Sequence, residues 1–225
     1  AKDQPIQTSL ALKYRYPNKK VIMLGCLVQR YGAKLEREMG EIDGFVALND
    51  LDALLGLVSS VQHGRVGSLH SADPRRQRRS RFLSFPGSAY VKVAEGCSNH
   101  CSYCAIPLIR GELASRPLED ILEEIEELVQ RGVVEIVLIA QDLASYGRDR
   151  GEAELVQLVK SILRLERPFW LRLLYVHPDY FPAELLDVMS ADSRVLPYFD
   201  IPFQHASPAV LTRMGRKGSA DSYAK

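Results

Sequence analysis

A chain of 225 residues has the length for one large domain or two small ones, and 46% apolar residues are enough to build a buried core. Basic and acidic side chains number 29 and 28, so the net charge of +1 gives no global field directed at nucleic acid or an anionic surface. No apolar run approaches the roughly 20 residues of a bilayer-crossing helix, and four cysteines are too few for a secreted disulfide framework. The polar start, Ala1 to Gln7, has no signal-peptide pattern and no initiating methionine. A cytoplasmic protein, read from inside a longer chain, is the expectation.

Val21 to Leu24 is a short apolar run closed by Gly25-Cys26. Val28, Tyr31, Leu35 and Met39 follow at a spacing near 3.6 and stop at Gly40, which predicts a strand and then a helix. A second strand is expected at Gly44 to Leu48. A helix from Leu51 to Val58 should follow the cap Asn49-Asp50, with Leu51, Leu54, Leu55 and Val58 on one stripe. Residues 1–60 thus form a βαβα fragment of a parallel sheet. Between 61 and 86 the periodicity fades, and the run Arg75-Arg76-Gln77-Arg78-Arg79-Ser80-Arg81 fits a solvated linker better than an RNA contact, since no aromatic interleaves to stack on bases.

From residue 87 the pattern is regular. A strand at Ala89 to Ala94 precedes a helix that begins after Pro117, carries the stripe Leu118, Ile121, Leu122, Ile125, Leu128 and Val129, and stops at Gly132. Val133 to Ile139 reads as a strand buried on both faces. Helices at 152–165, 183–189 and 207–214 alternate with strands at 169–175 and 196–203, which predicts an α/β fold with a parallel sheet. Four strand–helix units are half of the eight that close a barrel of roughly 250 residues, so the expected architecture is a small open sheet or an incomplete barrel.

Cys97, Cys101 and Cys104 stand in a C-x-x-x-C-x-x-C spacing in the loop after the first of these strands, at the end where βα folds place their chemistry. Three thiolates on one loop can hold three irons of a cubane cluster and leave the fourth open to a ligand. A closed zinc site would need a fourth donor from His100, His177, His205 or Cys26, and buried inert cysteines are a third reading. Other candidates sit at strand ends: Gln141 and Asp142 after Ile139, Tyr175 and His177 after Leu174, and Gln204 and His205 after Phe203. Such residues also cap helices, as Asp142 or Ser207 could do. Arg110 and Arg116 could pair with a carboxylate or serve at the surface, and His100 reads as a solvent-facing loop residue.

The motif with Tyr103 before Cys104 resembles that of the radical S-adenosylmethionine enzymes. Its continuation through Ala105-Ile106-Pro107-Leu108-Ile109-Arg110-Gly111 to Ser115-Arg116-Pro117 is similar to the methylthiotransferases among them. Two further stretches, Ile139 to Gly147 and Asp200 to Pro208, resemble the branch that modifies an aspartate of the twelfth small-subunit ribosomal protein. The tRNA-modifying sibling usually has Gly-Gln-Asn in place of Gln141-Asp142 and Gln-Ser-Gly in place of Gln204-His205-Ala206, and it remains the alternative. Val21 to Tyr31, with Gly25-Cys26-Leu27, looks like the end of the family's N-terminal domain.

The resemblance implies the cofactors and the partners. Cys97, Cys101 and Cys104 would hold a four-iron four-sulfur cluster, and Cys26 would be the third ligand of a second, auxiliary cluster whose other two ligands are not in this sequence. S-adenosylmethionine would bind the open iron, with Tyr103, Gln141, Asp142, Tyr175, Gln204 and His205 as contacts, and its one-electron cleavage would supply the radical that attacks an unactivated carbon–hydrogen bond. Residues 1–60 would end the auxiliary-cluster domain, 61–86 would link, and 87–225 would be the first four units of a radical enzyme barrel, with the family's C-terminal TRAM domain not included. A ribosomal protein at the decoding centre or in an assembling ribosome and an electron donor would be partners, with no membrane role and direct nucleic-acid contact left open. A zinc-stabilised binding module or an inactive fragment are the readings from other classes.

Overall fold

The computed structural model describes residues 3–47 and 87–224, together with the single positions Leu54, Gly56 and Val58. The chain divides into two compact units, Ala1–Pro74 and Arg75–Lys225. Of the predicted helix at 51–58 only those three positions are described, each helical, and the expected linker at 61–86 with its arginine run lies outside the described residues.

Unit 1 contains α1 (Asp3–Arg15), β1 (Ile22–Leu24), α2 (Cys26–Glu38) and β2 (Gly44–Val46). The strands pair in parallel, with Met23 opposite Phe45, and α2 buries Val28 and Leu35 against them along with Met39 and Ile42. The helix α1 was not legible from apolar spacing, because it buries no residue fully and only Ile6 and Leu10 touch the core. Charge orders it instead: Asp3 stands in its first turn and Lys13 and Arg15 in its last, each favoured by the helix dipole. Asp43 ties it down by accepting from Lys13 Nζ at 2.6 Å, Lys20 Nζ at 3.0 Å and the Val21 amide at 2.9 Å.

Unit 2 runs β3 (Ser88–Lys92), β4 (Ala94–Glu95), α3 (Ile106–Arg110), β5 (Ala114–Ser115), α4 (Leu118–Gln130), β6 (Glu135–Ile139), α5 (Leu155–Leu163), β7 (Trp170–Leu173), α6 (Glu184–Ala191), β8 (Val195–Phe199), α7 (Pro208–Arg213) and α8 (Ala220–Tyr223). The main sheet is parallel and ordered β3-β6-β7-β8, in chain order, as the first part of a barrel winds. Ala89, Val91, Ile136, Leu138, Leu171 and Leu173 on one face are buried among Ile121, Ile125 and Leu128 of α4, Leu158 and Ile162 of α5, and Leu185 of α6. Each such Leu or Ile stabilises the unit by about 1.5–3 kcal/mol. Val137 is also buried, so the middle of β6 is covered on both sides, but Tyr90, Trp170 and Tyr198 are about half exposed. The sheet is therefore that of an unclosed barrel.

One predicted strand is divided. The run from Ala89 to Ala94 breaks at Val93, and Ala94–Glu95 turns away to pair antiparallel with Ala114–Ser115. Arg116 fixes the break, its amide donating to the Val93 carbonyl and its Nη1 to the Lys92 carbonyl. The cysteine loop is consequently held between two short paired strands. Among the described residues no helix is long and apolar enough to cross a membrane.

Candidate functional site

The approach to the loop requires glycine. Gly96 has φ 73°, and a Cβ there would meet the Glu112 carbonyl oxygen at 2.0 Å, so the backbone passes against residues 111–112 only without a side chain. That close approach lets the Cys97 amide donate to the Gly111 carbonyl at 3.1 Å. The loop is pinned at further points: Ser98 Oγ accepts from the Leu113 amide, Asn99 Nδ2 donates to Asp142 Oδ2 at 2.8 Å, and Ser102 Oγ donates to the Arg213 carbonyl at 2.8 Å. The Ser102 amide also donates to the Met214 carbonyl.

All three thiols are free. Cys97 Sγ accepts from the Asn99 amide and Cys104 Sγ from the Ile106 amide, each at 3.4 Å, an arrangement that stabilises negative charge on sulfur. Burial pushes the Cys97 thiol above its ordinary pKa, so the sulfur keeps its proton unless a cation takes the proton's place. An open cavity of about 200 Å³ faces the thiols, and Tyr103, Gln141, Tyr175, His177, Gln204 and Arg216 are in its wall. Tyr175 and Gln204 are the two non-glycine residues at positive φ among those described, 62° and 67°. That conformation costs about 1–3 kcal/mol and concentrates at functional sites.

Four of the six expected cofactor contacts, Tyr103, Gln141, Tyr175 and Gln204, thus meet at one cavity. Asp142 is placed differently: it is 2% exposed and caps the turn at 143–145, accepting from Asn99, Ala144, Ser145 and His177. With these four donors it fixes the cysteine loop from behind. His205 is exposed, its Nδ1 accepts from the Ser207 amide, and it lines a separate cavity with Phe203 and Tyr223. Neither arginine weighed in the sequence faces the thiols. Arg110 pairs with buried Glu95, and Arg116 with Glu124. His100 is exposed, as expected.

Arg216 escaped the sequence reading. It is 8% exposed, follows Gly215 at the end of α7, and its Nη2 donates to the Tyr103 hydroxyl at 2.8 Å. Gly215, at φ 74°, allows this, since a Cβ there would meet the His100 carbonyl oxygen at 2.9 Å. Only the glycine after a short predicted helix hinted at the contact. His177 lies beside it: burial, followed by the Arg216 charge, holds its imidazole below the ordinary range.

The residues fit an open-sided cluster better than one metal ion. Among the described residues no three His, Cys, Asp or Glu side chains converge on a single metal position. A zinc centre needs such convergence, with ligands at about 2.0–2.3 Å, whereas a cubane spreads three thiolates over three irons. Of the histidines weighed as a fourth zinc ligand, His100 is exposed and outside the cavity wall and His205 lines a separate cavity, so that His177 is the one in the wall with the thiols. In unit 1, Cys26 is an exposed free thiol at the first residue of α2 and the one cysteine of that unit, so it could offer a cluster no more than a single thiol ligand.

Comparison with known proteins agrees with the motif. The chain is 39% identical over 243 residues to the ribosomal protein uS12 methylthiotransferase RimO of Treponema denticola, covering 99% of this chain and 52% of that protein. It is 41% identical over 212 residues to the RimO of Carboxydothermus hydrogenoformans, covering 91% of this chain and 47% of that protein. The chain spans about half the length of the curated relatives it matches. Among solved structures, the radical S-adenosylmethionine methyltransferase TsrM of Kitasatospora setae, with tryptophan and a cofactor analogue bound, superposes with TM-score 0.61 over 91% of this chain and 46% of that one. At 17% identity that likeness shows the fold alone. The resemblance drawn from the cysteine motif and its flanking stretches is thereby borne out. The sequence model of the Radical SAM superfamily matches residues 91–225, more than half of the chain, and the chain belongs to that superfamily.

Proposed function

We propose that this chain is part of a radical S-adenosylmethionine methylthiotransferase that places a methylthio group on the β-carbon of an aspartate in the twelfth small-subunit ribosomal protein. The observation that carries the reading is the cavity itself: three thiols, two of them receiving main-chain N–H donors, face Gln141, Tyr175 and Gln204. Cys97, Cys101 and Cys104 hold the cluster, and Cys26 contributes to the auxiliary one. When bound, the cluster and S-adenosylmethionine supply one-electron chemistry strong enough to open a carbon–hydrogen bond that offers no acid or base a handle.

The protein's own residues position and exclude. Asp142 and Asn99 fix the loop, so the thiols keep their spacing. Tyr175 and Gln204 are aimed by strained backbone from the ends of β7 and β8, and Gln141 from the end of β6. Buried Val93, Ala94 and Leu113 beside the loop keep water from that side. Residues 1–60 belong in this reading to the auxiliary-cluster domain and 87–225 to the barrel, and the protein works in the cytoplasm on a ribosomal protein near the decoding centre, with an external electron donor.

Anaerobic reconstitution with iron and sulfide tests it, followed by incubation with S-adenosylmethionine, a reductant, and either the ribosomal protein or tRNA. The expected result is one cubane per Cys97–Cys104 loop and reductive cleavage of S-adenosylmethionine by this chain and, in the complete enzyme with its auxiliary cluster, a mass gain of one methylthio group on the ribosomal protein. A colourless protein with stoichiometric zinc overturns the reading, and a modified tRNA adenosine transfers it to the sibling branch.

A further inference from the structure

The three thiols of the loop are not served alike. Cys97 Sγ accepts from the amide two positions on, that of Asn99, and Cys104 Sγ from the amide two positions on, that of Ile106. Among the described residues no main-chain amide does this for Cys101. The residue two positions on is Tyr103, and there the side chain takes the amide's place: its hydroxyl interacts with the Cys101 sulfur while accepting from Arg216 Nη2 at 2.8 Å. A phenolic hydroxyl can accept one hydrogen bond and donate another, so guanidinium, phenol and sulfur stand in series in one cavity wall.

Arg216 is 8% exposed and its charge is permanent. Burial opposes that charge, but the Tyr103 hydrogen bond and the charge on Cys101 outweigh it and raise the guanidinium's pKa. Among the described residues no carboxylate forms an ion pair with it, and neighbouring Asp179 is taken up by the Lys217 and Gly218 amides and the Tyr223 hydroxyl. The negative centre that Arg216 reaches is therefore the Cys101 sulfur. The end of α7 is kept in place for this by Ser102, which donates to the Arg213 and Met214 carbonyls.

Reduction adds one electron, and so one negative charge, to an iron–sulfur cluster, and hydrogen bonds to its thiolates stabilise the added charge. A buried cation does the same with little screening by water. We propose that Arg216, acting through the Tyr103 hydroxyl on the Cys101 sulfur, raises the reduction potential of the cluster held by the loop. The inference rests on the radical S-adenosylmethionine reading. Arg216 is in this respect a positioning residue: two sulfurs take their donors from the backbone, and the third takes its donor from a side chain that a residue 115 positions away from Cys101 orients and polarises.

A redox titration of the iron–sulfur-reconstituted chain tests the relay without turnover, with dithionite as the reductant, no S-adenosylmethionine present, and the reduced cluster followed by electron paramagnetic resonance. Arg216→Met should lower the equilibrium constant for reduction by about tenfold, or about 59 mV for one electron. Tyr103→Phe, which keeps the ring and the cation but loses the hydroxyl, should lower it by about threefold, the effect of one hydrogen bond. The two losses should not add in the double variant, since the cation acts through the hydroxyl. Lys217→Met removes an exposed charge from the next position and should leave the potential unchanged. An unshifted potential in Arg216→Met overturns the inference, as does an equal shift in Lys217→Met or a wild-type potential in Tyr103→Phe, which also decides the matter if Arg216→Met does not fold. Iron content separates the two levels: a wild-type chain that takes up no iron refutes the underlying reading, whereas normal iron with unshifted potentials refutes only the relay.

Discussion

Arg216 Nη2 donates to the Tyr103 hydroxyl at 2.8 Å across 113 positions of sequence, joining the segment after α7 to the cysteine loop. Two other contacts run in parallel, from the Ser102 amide to the Met214 carbonyl and from Ser102 Oγ to the Arg213 carbonyl. The end of α7 is therefore a wall of the site.

Tyr103→Phe removes the acceptor of that bond and leaves Arg216 with one more unpartnered nitrogen. The expected loss is about 1–3 kcal/mol of stability, the usual penalty for a buried donor deprived of its partner. Urea denaturation of the chain measures it. A midpoint equal to wild type would show that the hydroxyl does not hold the guanidinium.

Gly96→Ala should be more damaging. The added Cβ would lie 2.0 Å from the Glu112 carbonyl oxygen at φ 73°, so the backbone must move where Cys97 begins. A loss of about 2–4 kcal/mol and poor iron uptake are expected, in line with strain at a special backbone position. Iron per chain after reconstitution is the measurement, and wild-type loading would refute the close approach.

Asp142→Asn tests the support behind the loop. The carboxylate accepts four hydrogen bonds, and an amide in its place turns an N–H group toward donors such as Asn99 Nδ2. About 2–3 kcal/mol of destabilisation is expected. Hydrogen exchange of the Ala144 and His177 amides should rise with it, and unchanged protection at both would contradict this role.

Asp43 gives unit 1 a pH dependence. Burial alone would raise its carboxyl, but hydrogen bonds from Lys13, the Val21 amide and Lys20 outweigh burial and hold it at about 2, below its ordinary 3.8. A carboxyl with a depressed folded-state pKa stabilises the fold above the unfolded value and loses that contribution as pH falls through the folded one. Protection of the β1 and β2 amides should therefore decline between about pH 4 and pH 2. Asp43→Asn should remove the decline, and an identical acid profile in that variant would exclude Asp43 as its source.

The sequence by itself determined the order and type of most elements, because apolar spacing reports which face of a helix or strand is buried. The stripe from Leu118 to Val129 and the run from Val133 to Ile139 are α4 and β6, displaced by a residue or two at their ends. It also located the chemistry of the loop, since three thiols within eight positions stay on one loop whatever the fold. It could not show α1, whose stability comes from charge, or the break at Val93, which depends on Arg116 reaching back to the β3 strand.

The tertiary structure alone decided which polar residues at the strand ends face the cavity. Asp142 and Gln141 are adjacent in sequence, yet the carboxylate turns inward to four donors while the amide oxygen of Gln141 stays open beside the thiols. Arg216, silent in the sequence, enters because Gly215 lets its turn pass against the His100 carbonyl. The physical reason is the same in both cases. Burial of apolar area repeats with the period of the backbone, but the direction of a polar side chain is set by the few partners that long-range folding brings within 3 Å or so of it.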